Sequence, residues 1–270
     1  MARVRAMLGP GVEFGLEWVS VYTFQCRRLE KFRHGRVVFV GDAAHQVSPF
    51  GARGGNGGVQ DVDNLGWKLD AVLRGAAGEG LLDSYDAERV PAADENILNS
   101  TRSTDFITPK SGAALAYRDA VLELAGRYPF ARALVNSGRL SRPSVVFSGL
   151  CSADHAAWMG GVAPGAPAVD APVVWQGRAD WLLRQLDGFV LLVFGAPGDV
   201  PVVPEGVRVV CVARTEVDGA VWDREGVVAA RYAAGPGCVV LFRPDQIVAG
   251  RWVRFSAEAV GEAVGRALGR

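Results

Sequence analysis

Arg36-Val-Val-Phe-Val-Gly-Asp-Ala-Ala-His45, then Gln46-Val-Ser-Pro-Phe-Gly-Ala-Arg-Gly-Gly-Asn56, then Gly57-Gly-Val-Gln-Asp-Val-Asp-Asn-Leu-Gly-Trp-Lys-Leu69 form the stretch on which the fold turns. Val37 to Val40 is an unbroken apolar run rich in β-branched residues, the pattern of a strand buried on both faces between parallel neighbours. Asp42 follows its end, where open α/β sheets gather ligands, and a carboxylate there suits a hydroxyl-bearing chain. Five glycines lie between Gly51 and Gly58; glycine lets main chain come close to a ligand. From about Gly57 the apolar residues Val59, Val62, Leu65, Leu69, Val72 and Leu73 recur at helical spacing. The glycine-rich loop therefore runs into a helix N-terminus, whose free N–H groups and dipole favour negative charge.

The same residues resemble the second flavin-binding motif of the p-hydroxybenzoate hydroxylase-like, FAD-dependent aromatic monooxygenases. The resemblance rests on Gly41-Asp42-Ala43-Ala44-His45, Pro49, Gly51 and Gly54-Gly55-Asn56, supported downstream by Asp61, Asn64-Leu65 and Trp67-Lys68-Leu69. It implies a cofactor-binding set of Gly41, Asp42, Pro49, Gly51, Gly54, Gly55 and Asn56. In it Asp42 meets the ribityl or pyrophosphate region, and Gly55 and Asn56 offer N–H groups to the flavin pyrimidine edge. Pro49 is implied as the residue beside the reacting edge of the ring, the one catalytic position. His45 is implied to be structural or to lie on the nicotinamide side, and Arg53 to face flavin or nicotinamide. The implied activity reduces FAD with NADPH or NADH and hydroxylates a phenolic or other aromatic substrate with O2. An epoxidase- or halogenase-like flavoprotein of the same fold, and a non-catalytic remnant or subunit, are the alternatives.

Leu82, Tyr85 and Arg89 share one helix face by spacing, and Leu81-Leu82 to Arg89-Val-Pro91 resembles a segment of the same family. Pro91 is expected to kink or restart that helix, which continues to just before Pro109. Further helices are expected at about 115–126 and 129–137. Upstream, residues 16–25 read as one strand, with Tyr22 and Phe24 as sheet core, the alternative from the resemblance being that they line or back a substrate pocket. Arg27, Arg28, Lys31, Arg33 and Arg36 form a basic cluster whose default reading is a solvated face.

Residues 138–177, rich in Gly, Pro, Ser and Ala, read as a linker after a partial FAD-binding and substrate domain of residues 1–137. Residues 178–270 read as a smaller α/β unit: a short helix at 179–186, buried strands at 189–194 and 207–212, a hairpin of 239–242 with 247–252 across Arg243-Pro244-Asp245-Gln246, and a helix from 257 capped by Ser256. This order resembles the thioredoxin-like C-terminal domain of the phenol hydroxylase branch. The fold class expected is thus α/β, a Rossmann-like FAD-binding part followed by a thioredoxin-like domain. No G-x-G-x-x-G occurs, so the chain reads as lacking the half that cradles the pyrophosphate; an N-terminal half or a homodimer partner is implied.

The chain has 270 residues, with 29 basic against 29 acidic side chains. That balance argues against nucleic-acid or membrane-surface partners drawn by bulk charge. The four cysteines are scattered and the three histidines form no ligand pair, so no metal site is expected and a reduced, cytoplasmic protein is the plain reading.

Overall fold

Phe189–Phe194 and Val207–Ala213 alternate between two apolar faces, and a strand with apolar residues on both faces belongs in the middle of a covered sheet. The computed structural model, which describes residues 2–135, 143–199 and 202–270, places them there. Its seven-stranded sheet contains β5 (Pro172–Trp175), β6 (Arg178–Trp181), β7 (Phe189–Phe194), β8 (Val207–Ala213), β9 (Ala220–Trp222), β10 (Val239–Phe242) and β11 (Val248–Trp252). The order is β11-β10-β7-β8-β9-β5-β6. β7, β8 and β9 run parallel, and the outer pairings are antiparallel. Val190, Leu192 and Phe194 point to one face, against Val228 and Tyr232 of α6 (Val227–Tyr232). Leu191 and Val193 point to the other, against Val260, Ala263 and Val264 of α7 (Ala257–Ala267). Ser256 caps α7 by accepting from the Ala259 N–H at 3.2 Å.

The first half is built differently. α1 (Ala2–Leu8) leads into a stretch without regular structure as far as β1 (Arg27–Arg28). The short strands β1 with β4 (His45–Gln46), and β2 (Arg33–His34) with β3 (Val37–Val38), form two-residue antiparallel ladders. Behind them stand α2 (Arg53–Leu73) and α3 (Asp83–Ile107), followed by α4 (Gly112–Arg127) and α5 (Pro129–Val135). A small core of Phe32, Ala44, Tyr85 and Ala93 holds the ladders to α3.

Several expectations are corrected. Residues 16–25 form no strand, and Tyr22 and Phe24 are 62% and 56% exposed rather than core; Tyr22 stacks on Phe24 outside any sheet. Val37–Val40 gives only the two-residue β3, with Val37 57% exposed. The turn at Gly35 (φ 62°) folds it back on β2, and Gly41 (φ 55°) ends the extended run, so local antiparallel pairing replaces parallel pairing. Among the described residues the first half holds no parallel strand pair, so the expected Rossmann-like character is not seen there. α2 begins at Arg53, four residues earlier than expected.

α3 runs unbroken through Pro91. Proline costs it one hydrogen bond, while buried anchors at Glu88, Arg89, Asn96 and Ser100 hold the axis on both sides of that position. Residues 179–186 are strand β6 followed by a single 3-10 turn at Leu182–Gln185, not a helix. Pairing with β5 takes the first half, and Asp170 accepts from the Leu183 N–H at 3.1 Å to start the turn. Residues 172–175, expected within the connecting stretch, are strand β5. The boundary expected at 137/138, and the last residues of the helix expected to reach 137, lie outside the described residues.

α2 buries the opposite side from the one its sequence advertises. Asp61, Asn64 and Lys68 face inward, while Val59, Val62, Leu69 and Leu73 are 70%, 58%, 40% and 77% exposed. No helix among the described residues is long and apolar enough to cross a membrane.

Candidate flavin-binding site

Gly41-Asp42-Ala43 forms a single 3-10 turn directly after β3, and that turn is pinned to α2 by one carboxylate. Asp61 of α2 accepts the Gly41 N–H at 3.0 Å and meets His45 Nε2 at 2.6 Å through the same oxygen; its other oxygen takes Arg89 Nε at 2.7 Å. All three side chains are buried. Burial alone would raise the Asp61 carboxyl, but the His45 hydrogen bond, the Arg89 guanidinium and the Gly41 N–H together hold it below the ordinary carboxylate range. The turn meets the helix closely: a Cβ on Gly58 would lie 3.3 Å from the Gly41 Cα, tighter than an ordinary contact.

The loop after β4 hangs from α3. Ser48 Oγ lies 2.8 Å from both Ser100 Oγ and Thr104 Oγ1, and Ser100 Oγ lies 3.0 Å from the carbonyl oxygens of Ser48 and Phe50. Arg53, buried at the head of α2, donates to Asn96 of α3. Pro49 accepts the Ala52 N–H at 3.0 Å, which closes the turn over Gly51 (φ 93°). Ala52 is left-handed (φ 52°), and no side chain caps α2. The first-turn N–H groups of α2 are therefore not satisfied by a capping side chain, the arrangement that attracts an anionic edge.

The structure thus brings the expected residues to one rim. Asp42, Pro49, Gly51, Gly55 and Asn56 are exposed, Gly41 and Gly54 are partly buried, and all lie on the 3-10 turn, the loop, or the first turn of α2. Nothing lies within 4 Å of where a Cβ of Gly55 would stand, so a flat ring edge has room to reach the helix amides. The Asn56 side chain turns back to the Ala52 carbonyl at 2.7 Å, leaving its backbone as the group on offer. An exposed carboxylate, a closed proline turn and an uncapped glycine N-terminus fit the ribityl and pyrimidine side of FAD. His45 sits under this rim as a brace. The basic cluster is partly spent on α3: Arg28 grips Asp94 at 2.6 and 2.8 Å, and Arg33 meets Asp83 at 2.6 Å.

Sequence reasoning missed the second polar cluster. Glu88 of α3 takes Lys68 of α2 at 2.8 Å, Asn64 of α2 at 2.7 Å, Ser148 at 2.5 Å, and Arg243 from the β10–β11 turn at 2.6 and 2.9 Å. Arg243 also holds Asp245 at 3.0 and 2.5 Å and lies over the Trp67 ring at 5.4 Å. Burial disfavours ionised Glu88, yet Arg243 and Lys68 outweigh it and keep its carboxyl far below the usual range. Burial pushes the Lys68 ammonium down to about 8, with Glu88 only partly opposing. The available signal was the inward helical spacing of 61, 64 and 68 on α2 and of 85, 88/89, 92, 96 and 99/100 on α3.

The chain is similar to known flavoprotein monooxygenases. The chain is 31% identical over 267 residues to the tetracenomycin A2 monooxygenase-dioxygenase of Streptomyces glaucescens, a match covering 94% of this chain and 44% of that protein. It is 33% identical over 254 residues to the 12-dehydrotetracycline 5-monooxygenase/anhydrotetracycline 6-monooxygenase of Streptomyces rimosus subsp. rimosus, covering 87% of this chain and 44% of that one. The crystal structure of the flavin-dependent monooxygenase PieE in complex with FAD and substrate superposes on 99% of this chain and 54% of its own, with a TM-score of 0.77 and 25% identity. The chain therefore spans less than half the length of both curated relatives. Residues 4–100, which include the whole rim, match the FAD binding domain family, and the chain is similar throughout to FAD-dependent monooxygenases.

Proposed function

We propose that this chain forms the ribityl- and pyrimidine-side part of an FAD-dependent monooxygenase that hydroxylates a polycyclic phenol, using NADPH or NADH and O2. The observation that carries this reading is the bracing of Gly41-Asp42 onto the uncapped head of α2 through Asp61, His45 and Arg89. When bound, FAD supplies the redox and oxygen-transfer chemistry. This chain's residues bind and orient it. Asp42 accepts from ribityl hydroxyls. The N–H groups of Gly54, Gly55 and Asn56, with the α2 dipole, favour negative charge on the pyrimidine edge. Pro49 lies against the ring on the rim's other side. The multi-ring substrate class is supported by the relatives matched over most of this chain, which are named for tetracenomycin A2, 12-dehydrotetracycline and anhydrotetracycline.

The flavin half is proposed to end near α5. The C-terminal unit is proposed to be thioredoxin-like, supported by the strand order β8-β7-β10-β11 with α7 closing one face. With no C-x-x-C its role is structural: its β10–β11 turn clamps α2 and α3 through Glu88.

The test is the visible absorption of the purified chain, alone and then co-expressed with the portion of the Streptomyces glaucescens relative outside the matched region. Flavin bands that appear on co-expression, together with NAD(P)H oxidation dependent on an added polycyclic phenol, are expected. Their absence in both preparations would remove the enzyme reading.

A further inference from the structure

Ser48 is buried and Pro49 is exposed, so the loop that carries Pro49 has an inner side toward α3 and an outer side on the rim. Three hydroxyls meet on the inner side, and each has one proton to give. Thr104 gives its proton to the Ser100 carbonyl one turn back, at 2.8 Å. Ser48 gives its own to Thr104 or Ser100, both at 2.8 Å. Ser100 is fully buried, and its proton is left for the loop: the carbonyl oxygens of Ser48 and Phe50 stand 3.0 Å away. Those two carbonyls flank Pro49, whose own carbonyl takes the Ala52 N–H at 3.0 Å. The Ser48 N–H is spent on Cys26 Sγ at 3.3 Å. Three successive carbonyls are thus committed within the chain, two of them to a single hydroxyl.

We propose that Ser100 is a positioning residue, which turns the carbonyls on both sides of Pro49 onto α3 and keeps their negative ends off the outer side of the loop. The inference rests on the flavin reading for what lies on that outer side. A carbonyl oxygen that loses its partner in a buried place is driven to find another. Here the way out is toward the rim, where the first-turn N–H groups of α2 favour negative charge on a flavin edge. A carbonyl dipole turned there opposes that preference. Ser100 therefore favours reduced, anionic flavin over oxidised flavin without touching the cofactor. Ser103 provides a contrast on the same helix: its hydroxyl bonds the Asn99 carbonyl at 3.0 Å, inside α3, and no loop atom among the described residues.

The test compares wild type with Ser100→Ala and Ser103→Ala. In the full 270-residue chain, amide exchange at Ala52 reports the Pro49 turn. It is expected to speed up about tenfold in Ser100→Ala and to stay at the wild-type rate in Ser103→Ala. The same chains are then co-expressed with the unmatched portion of the Streptomyces glaucescens relative, and the midpoint potential of the bound FAD is measured. Ser100→Ala is expected to lower it by the equivalent of about a fivefold loss of reduced-over-oxidised binding. Ser103→Ala is expected to leave it in place. Ala52 exchange in Ser100→Ala equal to wild type would overturn the proposal, because the loop is then held without Ser100. So would a faster-exchanging loop with a potential unmoved or raised, or a potential that Ser103→Ala lowers as much. Flavin absent from wild type in every preparation removes the flavin reading and this inference with it. Flavin bound at a potential that Ser100→Ala leaves unmoved removes the role of Ser100 alone.

Discussion

Arg243 and Glu88, separated by 155 residues, meet through two parallel contacts of 2.6 and 2.9 Å in an interior that leaves neither side chain exposed. This pair joins the turn of the C-terminal hairpin to the middle of α3. Removing one member strands a charge in a dry site. Arg243→Met or Glu88→Met is therefore expected to lower stability by about 3–5 kcal/mol. Glu88→Met with Arg243→Met together should cost clearly less than the sum of the single changes. Urea denaturation of the four proteins gives the coupling; strict additivity would mean that the contact adds nothing beyond its separate parts.

The buried groups of the two polar clusters set opposite pH trends on the two sides of neutrality. Glu88 and Asp61 are held below their ordinary values. Their stabilisation is complete above the unfolded carboxylate range and is lost as pH falls through it toward the depressed folded values. Lys68 runs the other way. Its folded value of about 8 lies below the reference 10.5, so the unfolded chain binds more protons between those values and stability rises with pH there. Thermal melts should show a fall below about pH 4.5. They should also show a gain from pH 8 to 9.5 that is missing in Lys68→Met. A gain that persists in Lys68→Met would assign it to another group.

Asp61→Asn should loosen the motif turn. The substitution weakens the acceptor shared by Gly41, His45 and Arg89 and leaves the Arg89 charge buried and uncompensated, at a cost of about 3 kcal/mol. Amide hydrogen exchange at Gly41 to Ala44 should speed up accordingly; unchanged protection there would mean that the turn is held by its own packing.

Asp42→Ala should behave in the reverse manner. Asp42 is exposed and makes no side-chain hydrogen bond among the described residues, so the melting temperature should move little. Flavin retention by the assembled protein should drop at least tenfold if the carboxylate binds the ribityl chain. Retention equal to wild type would remove that role.

The rim was legible because it is local: a glycine-rich loop, its flanking residues and the helix that follows are adjacent in sequence, and their spacing is their geometry. The C-terminal sheet was legible because strands such as 189–194 and 239–242 are apolar on both faces. What escaped was long-range. Val37–Val40 has the composition of a central parallel strand, yet the turn at Gly35 gives it a nearer partner in Arg33–His34. The apolar stripe of α2 has helical spacing whichever side is buried, and only the positions of Glu88 and Arg89 decide that the polar side goes in. Arg243-Pro244-Asp245 was visible as a turn, but nothing local indicates that its arginine reaches across to Glu88.

The close approach of Gly41 to Gly58 has a further consequence. A Cβ on Gly58 would come within 3.3 Å of the Gly41 Cα, tighter than an ordinary contact, whereas a Cβ on Gly41 would stand at an ordinary 3.7 Å from the Gly58 Cα. The two glycines are therefore not equivalent: a side chain at 58 presses the Gly41-Asp42 turn away from α2, while one at 41 meets its cost in the left-handed backbone (φ 55°). The spacing between Asp42 and α2 is thus set from the helix side of the contact.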